Sequence, residues 1–315
     1  MGISAYLKTI VRGVRGAGGL EREQACDLLG QILDGRCTPL EIGAFCVAMR
    51  IKGETAQELA GFLDAAQPRL DRPPGGDRPV VVLPCYNGGR KLPALTPLLA
   101  LLLARKGLPV LVHGTSTEDG RVTSQEVLGL LGVPAQPAGQ ALRSGQVHFV
   151  PTESLHPGLE GLLQARRATG VRNSAHALVK MINPVDGPAF VVSCYTHPNY
   201  FESMSAALEL TGARAMLLRG SEGEPAADPR RTPRMDVFLN GAVYPVQGGQ
   251  PSQFASVPVL PGQIDAEATA DYILAALAGK VPAPQPILAQ VEHIVRACKA
   301  IEAEGDPSCL QDLNS

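Results

Sequence analysis

From residue 80 onward, short runs of β-branched and other apolar residues alternate with stretches of helical periodicity. This alternation restricts the chain to an α/β fold, with a mostly parallel central sheet covered by helices on both faces. Val80-Val81-Val82-Leu83 leads into a helix predicted over 92–106, and Val110-Leu111-Val112 into one opened by the capping box Thr123…Glu126. Val147-His148-Phe149-Val150 comes next, then two helices between 157 and 182, then Phe190-Val191-Val192-Ser193. A helix over 200–211 precedes Ala215-Met216-Leu217-Leu218. Asn240-Gly241, between Val237-Phe238-Leu239 and Ala242-Val243-Tyr244, is a hairpin signal. Helices over 266–278 and 286–302 close the chain before a polar tail expected to fray. In sheets of this kind ligands sit outside the carboxyl ends of the strands, so the loops there are the first places to look for chemistry.

The first 70 or so residues show helical spacing only. Leu28, Leu29, Ile32 and Leu33 share one face, as do Ile42, Phe45, Cys46 and Met49 after the start signal Thr38-Pro39, and a third helix is predicted over 55–66. Pro68, Pro73, Pro74, Gly75 and Gly76 then form a linker. The chain is therefore divided into a helical domain, 1–72, and an α/β phosphate-binding domain, 73–315.

Of the 315 residues 45% are hydrophobic, enough for a sizeable core, yet no apolar run reaches the roughly 18 residues that span a bilayer. Lys8, Arg12 and Arg15 interrupt the apolar positions of the N-terminus. A cytoplasmic protein without a membrane partner is expected. The seven cysteines are scattered, with no zinc spacing, and are read as reduced apolar fillers, Cys85 being the one beside a loop of interest.

A formal charge of −2 conceals an uneven distribution. Residues 78–117 contain no Asp or Glu but carry Arg78, Arg90, Lys91, Arg105 and Lys106. Residues 161–185 are also acid-free and carry Arg166, Arg167, Arg172 and Lys180 with His176. Three loops draw on these stretches. In Tyr86-Asn87-Gly88-Gly89-Arg90-Lys91, glycines after a buried strand let backbone N–H groups converge on an anion, with a helix N-terminus predicted behind them. The alternative is a tight turn with two solvated cations. His113-Gly114-Thr115-Ser116 leaves a second strand end, where Thr115 and Ser116 suit phosphate contacts. A lone histidine such as His113 is more often structural than a base.

The third stretch carries the most specific spacing. His156-Pro157, then Arg166-Arg167-x-x-Gly170-x-Arg172, then Asn183-Pro184 resembles the anthranilate phosphoribosyltransferase family (glycosyltransferase family 3). The resemblance runs over nearly the whole chain and implies that family's helical domain, α/β domain and homodimer. It also implies that the Gly loop holds the diphosphate of phosphoribosyl diphosphate and that Arg166 meets a substrate carboxylate. The motifs depart from the family at three places: Arg90 replaces an acid, His113-Gly114-Thr115 replaces H-G-N, and Arg219-Gly220-Ser221-Glu222-Gly223-Glu224 replaces the segment that positions magnesium. In these features the chain is similar to the divergent, YbiB-like branch associated with nucleic-acid binding.

The sequence-based expectation is a homodimer that binds single-stranded DNA or RNA through the phosphate backbone, without sequence preference and without a cofactor. Asn87, Gly88, Gly89, Arg90, Lys91, His113, Thr115 and Ser116 supply one side of the groove, and Arg166, Arg167, Arg172, Lys180, Arg230 and Arg231 the other. For Arg230 to Arg234, which includes Arg231, the competing reading is a solvated loop whose charge is offset by Asp228 and Asp236. The alternative function is a phosphoribosyltransferase, with Mg²⁺ held by Glu222 and Glu224 and with anthranilate or another acceptor.

Overall fold

The computed structural model describes residues 2–12, 18–116, 118, 120–250, 259–303 and 306–310. Arg15 and the last five residues of the tail lie outside them. The N-terminal segment forms α1 (Ser4–Ile10), α2 (Arg22–Leu33), α3 (Pro39–Lys52) and α4 (Ala56–Ala66). Thr38 and Thr55 cap α3 and α4 with Glu41 and Glu58 reaching back, so two otherwise free amides at each helix start are satisfied.

The remainder alternates as β1 (Val80–Cys85), α5 (Thr96–Arg105), β2 (Val110–Gly114), α6 (Ser124–Leu130) and β3 (Val147–Pro151). Three helices follow, α7 (Thr152–Leu155), α8 (Pro157–Thr169) and α9 (Ala175–Leu178), before β4 (Ala189–Tyr195). Then come α10 (Pro198–Leu210), β5 (Ala215–Arg219), and the hairpin β6 (Met235–Leu239) and β7 (Ala242–Gln247). Helices α11 (Ala266–Leu277) and α12 (Gln285–Glu302) complete the domain.

The 7-stranded sheet has the order β3-β2-β1-β4-β5-β6-β7. The first five strands pair in parallel and the hairpin adds two antiparallel strands. Asn240 and Gly241 both take positive φ (51° and 81°), as the hairpin turn requires. Alternate residues of β1 enter opposite cores. Val80 and Val82 pack in the one shared with α2, α4 and α8, whereas Val81 and Leu83 pack in the one shared with α5, α11 and α12. Burial on both faces explains why β1 reads as an unbroken apolar run.

Two expectations are corrected. Helix α5 starts at Thr96 rather than at 92, because Pro97 suits only a first turn and residues 92–95 remain irregular. No helix N-terminus therefore stands directly behind Asn87-Gly88-Gly89. Second, the acid-free stretch 78–117 is divided between the two ends of the sheet. At the amino ends Arg78 meets Glu302, Lys106 meets Glu292, and Arg105 donates to the Leu277 carbonyl. Of that stretch's lysines and arginines, only Arg90 and Lys91 lie on the carboxyl rim. Among the described residues no helix is long and apolar enough to cross a membrane.

Candidate functional site

Successive strands of the parallel sheet are laid outward on both sides of β1 and β4, so their carboxyl ends flank the switch point of the topology. A cleft of about 350 Å³ opens there. The loops after β1 and β4 contribute Asn87 and Tyr195, Thr196 and His197, and the end of α3 brings Arg50 over from the helical domain. Arg50, Arg121, Arg172 and Lys180 line the cleft, against Glu222 as its acid. Four cations facing one carboxylate leave the cleft with an excess of positive charge.

Burial pushes the His176 imidazole down to about 3, with the Arg172 charge adding to the effect, so it stands neutral in the cleft. Burial also lowers the Arg172 guanidinium below its ordinary value, although it stays charged at any physiological pH. Tyr195 and Tyr200 supply aromatic surface to the same wall. Tyr200 accepts a hydrogen bond from Arg50 at 3.2 Å, and Phe201 packs beside Tyr195 beneath the Arg234 guanidinium.

The loop after β1 has the backbone of an anion cradle, but the chain fills it with its own carboxylates. The amides of Asn87 and Gly88 donate to Glu224 Oε1 at 2.6 and 3.0 Å, and those of Arg90 and Lys91 donate to the Glu222 carboxylate. Gly89 contributes no donor here, because its amide is bonded to the Val122 carbonyl at 2.8 Å. Gly88 holds φ of +66°, and a Cβ there would lie 2.6 Å from the Val122 carbonyl oxygen, so only glycine fits this turn. Asn87 is the hub. Its side chain donates to the Glu222 carbonyl at 2.8 Å and accepts from Arg172 at 2.9 Å. Lys180, buried, donates to the Gly223 carbonyl at 2.9 Å.

The other expected residues are distributed differently. His113 is fully buried, with Nδ1 2.9 Å from the Tyr86 hydroxyl, and burial pushes it down to about 3. It is a core residue and not part of the rim. Thr115, Arg166 and Arg167 border a smaller recess, where Glu118 lies 2.7 Å from Arg166 and 3.8 Å from Arg172. Ser116 sits half-buried in the loop that leads to Glu118. Arg230 and Arg231 both meet Asp228, at 2.9 and 3.4 Å, so one carboxylate offsets part of this turn's positive charge. Burial alone would raise the Asp228 carboxyl, but bonds from Arg230 and the nearby charges outweigh it and leave it lowered. The offset at Asp228 that the competing reading expects is therefore present, although one carboxylate faces two arginines.

Sequence reasoning missed Glu118, Arg50 and Arg121. Glu118 is the first acid after the acid-free stretch, and that position was the available signal. Nothing local marks Arg50, which reaches the cleft only through the packing of the helical domain.

A family model described as the helical bundle domain of a glycosyl transferase family matches residues 4–67. The uncharacterized protein YbiB of Escherichia coli is 37% identical over 313 residues, which cover 97% of this chain and 95% of that protein. Anthranilate phosphoribosyltransferase of an Anaeromyxobacter species is 29% identical over 247 residues, 76% of this chain and 70% of the relative. Among solved structures, anthranilate phosphoribosyltransferase from Thermus thermophilus matches with a TM-score of 0.70 at 23% identity, covering 97% of this chain and 91% of the other. The Saccharomyces cerevisiae enzyme in complex with PRPP and Mg matches with a TM-score of 0.68 at 13% identity, covering 98% and 91%. At such identities these two structures show likeness of fold alone.

Proposed function

The chain belongs to the anthranilate phosphoribosyltransferase family, and from that premise we propose that its basic cleft binds a phosphorylated ribosyl ligand. The observation that carries this reading is the set Arg50, Arg121, Arg172 and Lys180 converging against Glu222 at the switch point of the sheet. Phosphoribosyl diphosphate is the ligand the kinship favours, since relatives named for that transfer share the fold and the yeast enzyme was solved with PRPP and Mg. Phosphoribosyl transfer is then the reaction. Anthranilate is disfavoured as acceptor, because Arg166 already meets Glu118 and Thr115 stands where the family carries asparagine.

The family implies magnesium beside the diphosphate, but the residues do not fit it as arranged. Glu222 and Glu224 direct oxygens at backbone amides, and among the described residues no three His, Cys, Asp or Glu side chains converge as a metal set.

A second reading, binding of single-stranded nucleic acid, is favoured by the same disagreement. Where loop amides are taken up by carboxylates, the open part of the site is the row of guanidinium groups of Arg50, Arg121 and Arg172, which suits a phosphodiester backbone. Tyr195 and Tyr200 on that wall offer stacking surfaces. Calorimetry with phosphoribosyl diphosphate and Mg²⁺, beside fluorescence polarisation of labelled single-stranded DNA at low and moderate salt, separates the two. The first predicts saturable heat, the second a salt-sensitive rise in polarisation, and silence in both assays rejects the proposed site.

Homodimerisation is part of the proposal. Leu40, Val47 and Ile51 fall on one side of α3 and are exposed, an apolar stripe in the helical domain suited to a second copy. Light scattering that finds a monomer at working concentration rejects it.

A further inference from the structure

We propose that Glu222 and Glu224 act as an internal anion that occupies the phosphate cradle, so that a phosphate group reaches the loop amides only when the segment after β5 withdraws. This rests on reading the loop after β1 as an anion site. Amides of Asn87, Gly88, Arg90 and Lys91 all donate to these two carboxylates, in the manner that a bound phosphate would be held. Glu224 is buried, with its second oxygen 3.4 Å from the Ser124 hydroxyl. A metal ligand needs an oxygen lone pair aimed at a shared ion, whereas these oxygens are turned toward N–H donors.

The segment carrying the plug is also held in an unusual backbone. Glu222 has φ of 52° and ψ of 19°, a left-handed conformation that costs any residue other than glycine. Gly223 follows at φ of 84°, where an added Cβ would lie 2.0 Å from the Asn87 side-chain nitrogen Nδ2. Lys180 fixes the Gly223 carbonyl. The strained turn is thus pinned by the bonds that fill the cradle. Once those bonds are exchanged for a ligand's oxygens, the backbone at Glu222 is free to relax, which makes the segment a two-position element.

The test is calorimetric titration of the full chain with inorganic pyrophosphate, with and without Mg²⁺, for wild type, Glu222→Asn and Glu224→Gln. Asparagine tolerates the left-handed backbone but is too short to reach the amides, and a thermal melt checks that each variant folds. Removing a charge-assisted contact that competes with the ligand is expected to tighten metal-free pyrophosphate binding by about tenfold in Glu222→Asn. Glu224→Gln gives the same direction from the other carboxylate. Equal or weaker binding in Glu222→Asn overturns the proposal, as does wild-type binding that needs Mg²⁺ and is lost in the variants, the pattern of metal ligands. An unchanged Glu222→Asn beside wild-type binding of phosphoribosyl diphosphate or DNA removes the plug and leaves the cleft reading standing.

Discussion

Glu118 Oε1 lies 2.7 Å from Arg166 Nη1, and the same oxygen lies 3.8 Å from Arg172. One carboxylate thus neutralises the arginine that the family resemblance assigns to a substrate and also reaches a cation of the cleft.

Replacing Glu118 with glutamine is therefore expected to strengthen anion binding. Removing one neutralising charge next to two partly exposed guanidinium groups adds a net cationic contact, and the affinity for single-stranded DNA at low salt should rise by about three- to tenfold. Fluorescence polarisation at two salt concentrations checks this, and the salt dependence should steepen. An unchanged affinity means the recess at Arg166 takes no part in binding.

Lys180→Met should weaken both the fold and the site. The buried ammonium donates to the Gly223 carbonyl, which without it keeps only the weaker Cys194 thiol donor at 3.0 Å, so losing this charge-assisted bond costs about 1–3 kcal/mol. Urea unfolding reads the stability loss. Binding of phosphoribosyl diphosphate or DNA, measured under conditions where the variant is fully folded, should fall separately.

His113 sets a pH dependence. Burial holds its folded-state value down at about 3, below the unfolded value near 6.5, so the unfolded chain binds the extra proton between them. Its contribution to stability is present above 6.5 and is lost as pH falls toward 3. Between pH 7 and pH 5 this one group costs about 2 kcal/mol. Urea titrations at both values should show a smaller drop in His113→Asn than in wild type, and an equal drop contradicts the assignment.

Gly88→Ala should destabilise by about 1–3 kcal/mol, because the left-handed turn and the nearby Val122 carbonyl both exclude a Cβ. A thermal melt within a degree or so of wild type would show that the loop can rearrange freely.

Elements with strong local signals were legible from the sequence. Val80-Val81-Val82-Leu83 has few alternatives to a buried parallel strand, Thr123…Glu126 opens α6, and Asn240-Gly241 turns the hairpin. The start of α5 was not legible, since leucines at helical spacing continue upstream of the prolines that delay it. The family motifs fall on the same rim of the sheet as the cleft. They did not reveal that the amides of Asn87, Gly88, Arg90 and Lys91 are met by residues more than 130 positions away, as with the 137 positions between Asn87 and Glu224. Arg50 was out of reach for the same reason. Which charges are cancelled is decided by tertiary contacts, and a count of acids and bases along the chain does not contain them.

The central claim is that the cleft at the switch point binds a phosphate-bearing ligand through its cations. It is tested most directly by titrating wild type and Arg172→Ala with phosphoribosyl diphosphate and with single-stranded DNA under identical buffer conditions. The account predicts saturable binding of at least one ligand by wild type and a loss of about tenfold or more in Arg172→Ala, the cost of removing a charged contact. Binding that is undiminished in Arg172→Ala, or no binding of either ligand by wild type, would contradict it.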